Sequence, residues 1–197
     1  APFTLVAAEG EAVVWLTLHG RHNVSNALAA AALCLSVGAS LEQVAQGLNA
    51  ARSVAGRLVT HRPDSGAVLI DDSYNANPGS LAAAIDTLAA GGGDAWLVLG
   101  DMRELGADAE AMHAEAGRRA KSAGIRRLLT LGPYSAAATQ AFGEGATHFE
   151  THAALADMLR NELREGVRVL VKGSRGSAMD RIVAALVGPQ EGDTHAA

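Results

Sequence analysis

Cysteine is almost missing from these 197 residues, with Cys34 standing alone. A single thiol excludes an intramolecular disulfide and a cysteine-only metal site. Its Ala and Leu neighbours point to a small buried residue in a reducing compartment. Aromatic residues make up only 4% of the chain, so the core has to be built from Ala, Leu and Val. Lysine is also scarce: Lys121 and Lys172 supply all of it, and the other cationic side chains are arginines. The net charge is -5 and no basic tract occurs, which argues against a nucleic-acid surface. No apolar run reaches membrane-spanning length, and no basic region leads into an apolar one at the start. A soluble, cytoplasmic protein is expected.

Several chemical signatures are absent too. A phosphate-binding G-x-x-x-x-G-K-[ST] loop fails because Ala120 and Val171 precede the two lysines. No G-x-G-x-x-G follows the first strand, which leaves a nicotinamide oxidoreductase without support. There is no paired-cysteine zinc site and no G-x-S-x-G nucleophile elbow.

What is present is a chain with 49% hydrophobic residues, enough for a sizeable core. "FTLVAA" and "VVWLTL" read as two strands around a Glu-Gly turn. A lone hairpin is not stable by itself, so further upstream sequence is expected. Asn23 to Val37 is apolar nearly all round, which predicts a buried helix stopped by Gly38. Ser40 to Gln43 has capping-box spacing and opens a second helix running to about Ala50. From Arg57 onward, apolar runs ("LVTHRP", "AVLIDD", "AWLVLG", "LLTLG", "THFE", "VRVLVKG") alternate with helical patterns. Those helices are expected from Pro78 and from about Ala109, Tyr134, Ala153 and Ala178, with Asp108 and Thr151 as N-caps and Gly124 as a stop. Such alternation predicts an α/β fold, a mostly parallel Rossmann-like sheet with helices on both faces. The boundary is placed near Val54 to Gly56, giving segments 1–55 and 56–189 and a frayed tail at 190–197.

In an open parallel sheet, ligands bind beyond the carboxyl ends of the strands. Here those ends carry "DDSYNANP", "GDMREL" and "KGSRGS", which should gather along one edge. Successive strand residues face opposite ways, so Asp71 and Asp72 cannot share a task. One can meet a ligand while the other anchors the turn. Asp72 is the candidate acceptor for ribose hydroxyls, with a turn carboxylate as the local alternative. Asn77 before Pro78 reads as an N-cap. Tyr74 and Asn75 have no such local explanation. The glycine turn after Lys172 suits an anion, and Lys172 and Arg175 add positive charge. Asn23 and Asn26 share a helix face with His22; two carboxamides can read an adenine edge, or cap the helix and bond each other. His22 lacks a second metal ligand at a suitable spacing. His113 is expected at the surface or in packing.

The run "GRHNVSNALAAAAL", "GRL", "IDDSYNANPGS", "VLGDMRELG", "VLVKGSRG" resembles the bacterial Mur ligases. Within them it is most similar to the branch that adds D-alanyl-D-alanine to UDP-N-acetylmuramoyl tripeptide in peptidoglycan synthesis. The resemblance covers nearly the whole chain, as the end of a central ATPase domain and a complete C-terminal domain. It implies that the first domain, the phosphate-binding loop and a carbamylated magnesium-holding lysine lie outside these residues, and that the fragment is inactive alone. It also implies ATP and magnesium as cofactors, a monomer, and a mobile C-terminal domain that closes for catalysis. Asn23 and Asn26 match residues that contact adenine, Asp72 matches an acidic residue at the ribose, and Arg57 matches an arginine that approaches the ATP phosphates. Tyr74, Asn75, Asn77, Asp101, Lys172, Ser174 and Arg175 lie where the amino substrate would be held. The competing reading is a stand-alone nucleotide- or amino-acid-binding α/β module without catalysis.

Overall fold

The structure, a computed structural model, describes residues 2–18, 21–52 and 54–188, without the side chains of Arg21 and His22. The His22 side chain and the 190–197 tail therefore fall outside the described residues. The chain divides into two compact units, Ala1–Val54 and Ala55–Ala197.

In the first unit, strands β1 (Pro2–Ala7) and β2 (Gly10–Trp15) pair antiparallel, followed by helices α1 (Arg21–Ser36) and α2 (Leu41–Ala50). Leu5 and Val14 point inward and meet Ala31, Val44 and Ala45. Ser40 closes a reciprocal capping box with Gln43, as its spacing predicts. Two expectations fail here. Helix α1 is not buried on all sides: Leu28 and Leu33 are exposed, as is Val37 just beyond its end, and so is Cys34. The small core of this unit covers one stripe of α1, at Ala27 and Ala31, and leaves the rest of its apolar surface open. The helix also begins at Arg21, so Asn23 lies inside its first turn and is not the N-cap.

The second unit holds β3 (Val59–His61), β4 (Val68–Asp72), α3 (Pro78–Ala90), β5 (Asp94–Gly100), α4 (Ala109–Ser122), β6 (Arg127–Leu131), α5 (Ala136–Phe142), β7 (Ala146–Phe149), α6 (His152–Glu162), β8 (Val167–Lys172) and α7 (Asp180–Val187). Its sheet has the order β3-β4-β8-β5-β6-β7. Only β3 runs antiparallel, on the outside of β4. Alternation along the strands separates two cores. Ile70, Leu97, Leu99, Leu128 and Leu170 pack with α3, α4 and α5, while Leu69, Trp96, Val98, Leu129 and Val171 pack with α6 and α7. Burial on both faces explains the unbroken apolar runs.

Helix starts are mostly local. Asn77 accepts from the Ser80 amide and Thr151 from the Ala154 amide. Asp108 is a correction: it sits at the start of α4 but makes no side-chain cap bond, because a 3-10 turn over Gly106–Asp108 already leads into the helix. His113 is fully buried and accepts from the Met102 amide at 2.9 Å, while its other ring nitrogen lies 2.6 Å from the Ala109 carbonyl. No helix among the described residues is long and apolar enough to cross a membrane.

Candidate functional site

The three polar segments follow three adjacent strands, since β8 lies between β4 and β5. Asp72 pairs in register with Lys172, and Lys172 with Leu99, one residue before Gly100 and two before Asp101. The chain order alone does not place "KGSRGS" between the other two. The return of β8 to the middle of the sheet does.

Asp71 and Asp72 divide their work as their alternation requires. The Asp71 carboxylate accepts the Gly56 and Ser73 amides, both at 3.1 Å, and so anchors the turn. Asp72 faces the other way and receives the Lys172 ammonium at 2.5 Å. Burial pushes the Asp72 carboxyl above its ordinary value, against the opposing pull of Lys172 and a hydrogen bond from the Leu58 backbone; neighbouring Asp71 adds to the rise. Lys172, only 3% exposed, also donates to the Asn75 carbonyl at 3.0 Å. The chain's scarce lysine is thus the internal counter-ion of Asp72. The Asn75 side chain accepts the Ala76 amide. Ser73 Oγ between them is buried without a hydrogen-bond partner among the described residues.

Asp101 and Ser174 are built into the floor of the site. The Asp101 carbonyl accepts the Ser174 amide and the Ser177 hydroxyl, and its carboxylate accepts the Ser135 amide at 2.8 Å. Ser174 Oγ donates to the Ala76 carbonyl at 3.2 Å and accepts the Arg103 amide at 2.8 Å. One serine thereby joins all three loops. Close packing demands the glycines beside it: a Cβ on Gly100 or on Gly173 would lie 2.7 Å from Met179. Asp101 and Ser174 are both nearly inaccessible, at 5% exposure. They position the loops around the site, and sequence alone could not show it because their partners are 34 to 98 residues away.

The exposed rim is cationic and aromatic. The Arg57 guanidinium carbon lies 4.4 Å from the Tyr74 ring centre, and that of Arg175 5.4 Å from the same ring. Neither arginine has a carboxylate partner among the described residues, and the Tyr74 side of the rim is open to solvent. Arg103 donates to the Gly176 carbonyl at 3.2 Å, a contact with no local sequence signal. Among the described residues the non-glycine residues with positive φ are Leu58 just before β3, Glu104 after β5 and Ala178 after β8, and Leu58 reaches the same sheet edge because Val59 pairs with Asp71. Backbone strain is thus concentrated at the carboxyl edge of the sheet.

In the first unit, Asn26 Nδ2 lies 3.5 Å from Asn23 Oδ1, so the carboxamides are neighbours on α1. Among the described residues no three His, Cys, Asp or Glu side chains converge on one point. A groove of about 630 Å³ lies at the opposite, amino edge of the sheet, beside Trp96 and Lys121. Its cations are already engaged: Arg127 with Glu162, Arg126 and Arg164 with Asp94, and Lys121 with the Glu144 carbonyl.

Comparison with known proteins agrees with this architecture. The family described as Mur ligase, glutamate ligase domain, matches residues 56–175. The UDP-N-acetylmuramoyl-tripeptide--D-alanyl-D-alanine ligase of Escherichia coli K12 is 47% identical over 93% of this chain. The chain spans only 41% of that relative's length. The solved MurF structure from Acinetobacter baumannii is 33% identical, with a TM-score of 0.82 over 94% of this chain and 42% of that one. The MurF ligase of Thermotoga maritima, solved in complex with ADP, shares the fold at 21% identity and a TM-score of 0.77, over 94% of this chain and 42% of that one. With its Rossmann-like α/β unit and the family match over residues 56–175, the chain belongs to the Mur ligase family.

Proposed function

We propose that this chain is the C-terminal part of an ATP-dependent amide ligase that joins D-alanyl-D-alanine to UDP-N-acetylmuramoyl tripeptide. Residues 1–55 form the end of the central ATPase domain, and residues 56–189 are the C-terminal domain. The observation that carries this reading is the gathering of the three polar segments on adjacent strands β4, β8 and β5, with two rim arginines that have no carboxylate partner among the described residues. The open apolar surface of the first unit supports it as well. Val6, Val13 and Trp15 are exposed on strands whose other face is buried, as in a strand meant to be covered on both sides.

In the proposed reaction, the tripeptide carboxylate attacks the γ-phosphate of ATP to give an acyl phosphate and ADP. The dipeptide amine then attacks the acyl carbon, and phosphate leaves from a tetrahedral intermediate. Success depends on aligning the reactants and keeping water from the acyl phosphate. Asn23 and Asn26 face the adenine, Asp72 the ribose and Arg57 the phosphates. Tyr74, Asn75, Asn77, Lys172 and Arg175 form the amine-facing lip, with Asp101 and Ser174 beneath them. For Asp72 to reach a ribose it must share or leave Lys172, which makes that ion pair part of the binding equilibrium. ATP and magnesium are held mainly by the rest of such a ligase, which works as a cytoplasmic monomer.

A chimera tests the reading. These residues replace the matching 41% of the E. coli ligase, and phosphate release is followed with both substrates. Release that requires tripeptide and D-alanyl-D-alanine together is the expected result. A folded chimera without it sinks the proposal. Calorimetry on the chain alone separates the competing module reading, which requires tight binding of ATP or of the dipeptide.

A further inference from the structure

The segment bearing Arg57 is fastened to the β4 loop at every step. The Gly56 amide bonds the Asp71 carboxylate, the Gly56 carbonyl accepts the Tyr74 amide at 2.9 Å, and the Leu58 backbone bonds Asp72. Gly56 takes φ +74°, and a Cβ there would lie 2.9 Å from the Tyr74 nitrogen. Leu58 is held at φ +54°. Arg57 is therefore presented by a rigid, strained backbone and not by a free loop. Arg175 arrives from the other direction, on the turn after β8, which the Asp101 carbonyl holds through the Ser174 amide and the Ser177 hydroxyl. Both guanidiniums lie against one aromatic ring, Tyr74, without a carboxylate to neutralise either among the described residues. Two guanidiniums held within 5.4 Å of one ring centre repel each other. The negative face of the ring offsets part of that repulsion, and an anion between the guanidiniums offsets more.

We propose that Tyr74 is a positioning residue that seats Arg57 and Arg175 as one clamp for a single oxyanion. This rests on reading the carboxyl edge as the nucleotide- and amine-facing lip. It departs from that reading in joining an arginine assigned to phosphate and one assigned to the amino substrate into one site. The oxyanion can be the phosphoryl group or the terminal carboxylate of the dipeptide, because both offer paired oxygens to guanidinium.

The test uses the 197-residue chain and direct binding, so it does not depend on turnover; a failure here leaves the chimera assay unaffected. Inorganic phosphate, D-alanyl-D-alanine and D-alanyl-D-alaninamide are titrated with amide NMR as the readout. The expected result is weak saturable binding of phosphate or of the free-acid dipeptide, with shifts at Tyr74, Arg57 and Arg175 together. Phosphate binding identifies the phosphoryl source; binding of the dipeptide but not its amide identifies the carboxylate source. Tyr74→Leu should weaken binding about tenfold through loss of two cation–π contacts, while Tyr74→Phe keeps it. Arg57→Ala and Arg175→Ala should each weaken binding of the same anion at least tenfold, with the double variant losing less than the two single losses combined. Absence of binding at tens of millimolar, an unchanged Tyr74→Leu whose NMR spectrum shows it folded, or arginine variants that affect different ligands overturns the clamp.

Discussion

Asp71 and Asp72 are chemically identical neighbours whose fates differ because a strand sends them to opposite faces. Asp71→Ala removes the acceptor of two buried amides and should cost about 2–4 kcal/mol in urea unfolding. Asp72 responds to pH instead. Its carboxyl is raised in the folded chain, mainly by burial, above the unfolded value of 3.8. Between those two values the folded state keeps a proton that the unfolded state has lost, so stability falls as pH rises. The contribution is complete below 3.8 and gone above the folded value. Stability of the wild type measured against Asp72→Asn should therefore decline through that window and then level off. A difference that grew with pH would contradict the assigned direction.

At the scale of elements, caps and close approaches decide different things. Both capping-box bonds of α3 involve Asn77, so Asn77→Ala should cost about 1 kcal/mol and Asn77→Asp little. Gly117 is the sharper case. Helix propensity says that alanine there should stabilise α4 by about 1 kcal/mol. Packing reverses the sign, since its Cβ would lie 2.2 Å from the Ala138 carbonyl oxygen on α5. A Cβ at Gly100 has the Met179 side chain and the Ser177 Cβ as its nearest neighbours, and Gly100→Ala should cost about 1–3 kcal/mol. Thermal melts should rank Gly117→Ala as the more damaging, because a backbone carbonyl cannot swing aside as a methionine can. The capping residues Ser40, Asn77 and Thr151 were legible in the sequence because their partners are three residues away. Asp108 misled because a 3-10 turn precedes its helix.

For the whole molecule, the two units have unequal cores. Residues 55–188 carry two extensive apolar layers, whereas the first unit buries little beyond Leu5, Val14, Ala31, Val44 and Ala45. The segment 55–188 expressed alone should unfold cooperatively, and 1–54 alone should be unfolded by circular dichroism. In the full chain the exposed Trp15, Val13 and Leu33 should bind a hydrophobic dye, and Trp15→Gln with Val13→Thr should reduce that signal.

By itself the sequence determined the alternation of strands and helices, most helix starts and stops, and the motifs that would end the strands. These depend on periodicity and on contacts three or four residues apart, which any stretch of chain carries within itself. Only the tertiary structure decided that β8 lies between β4 and β5, that β3 runs antiparallel, and that α1 and Cys34 are exposed. It also decided that Lys172 neutralises Asp72 across 100 residues and that Ser174 joins three loops. Which strand is neighbour to which depends on how apolar faces are shared among distant segments, and no local pattern encodes that choice.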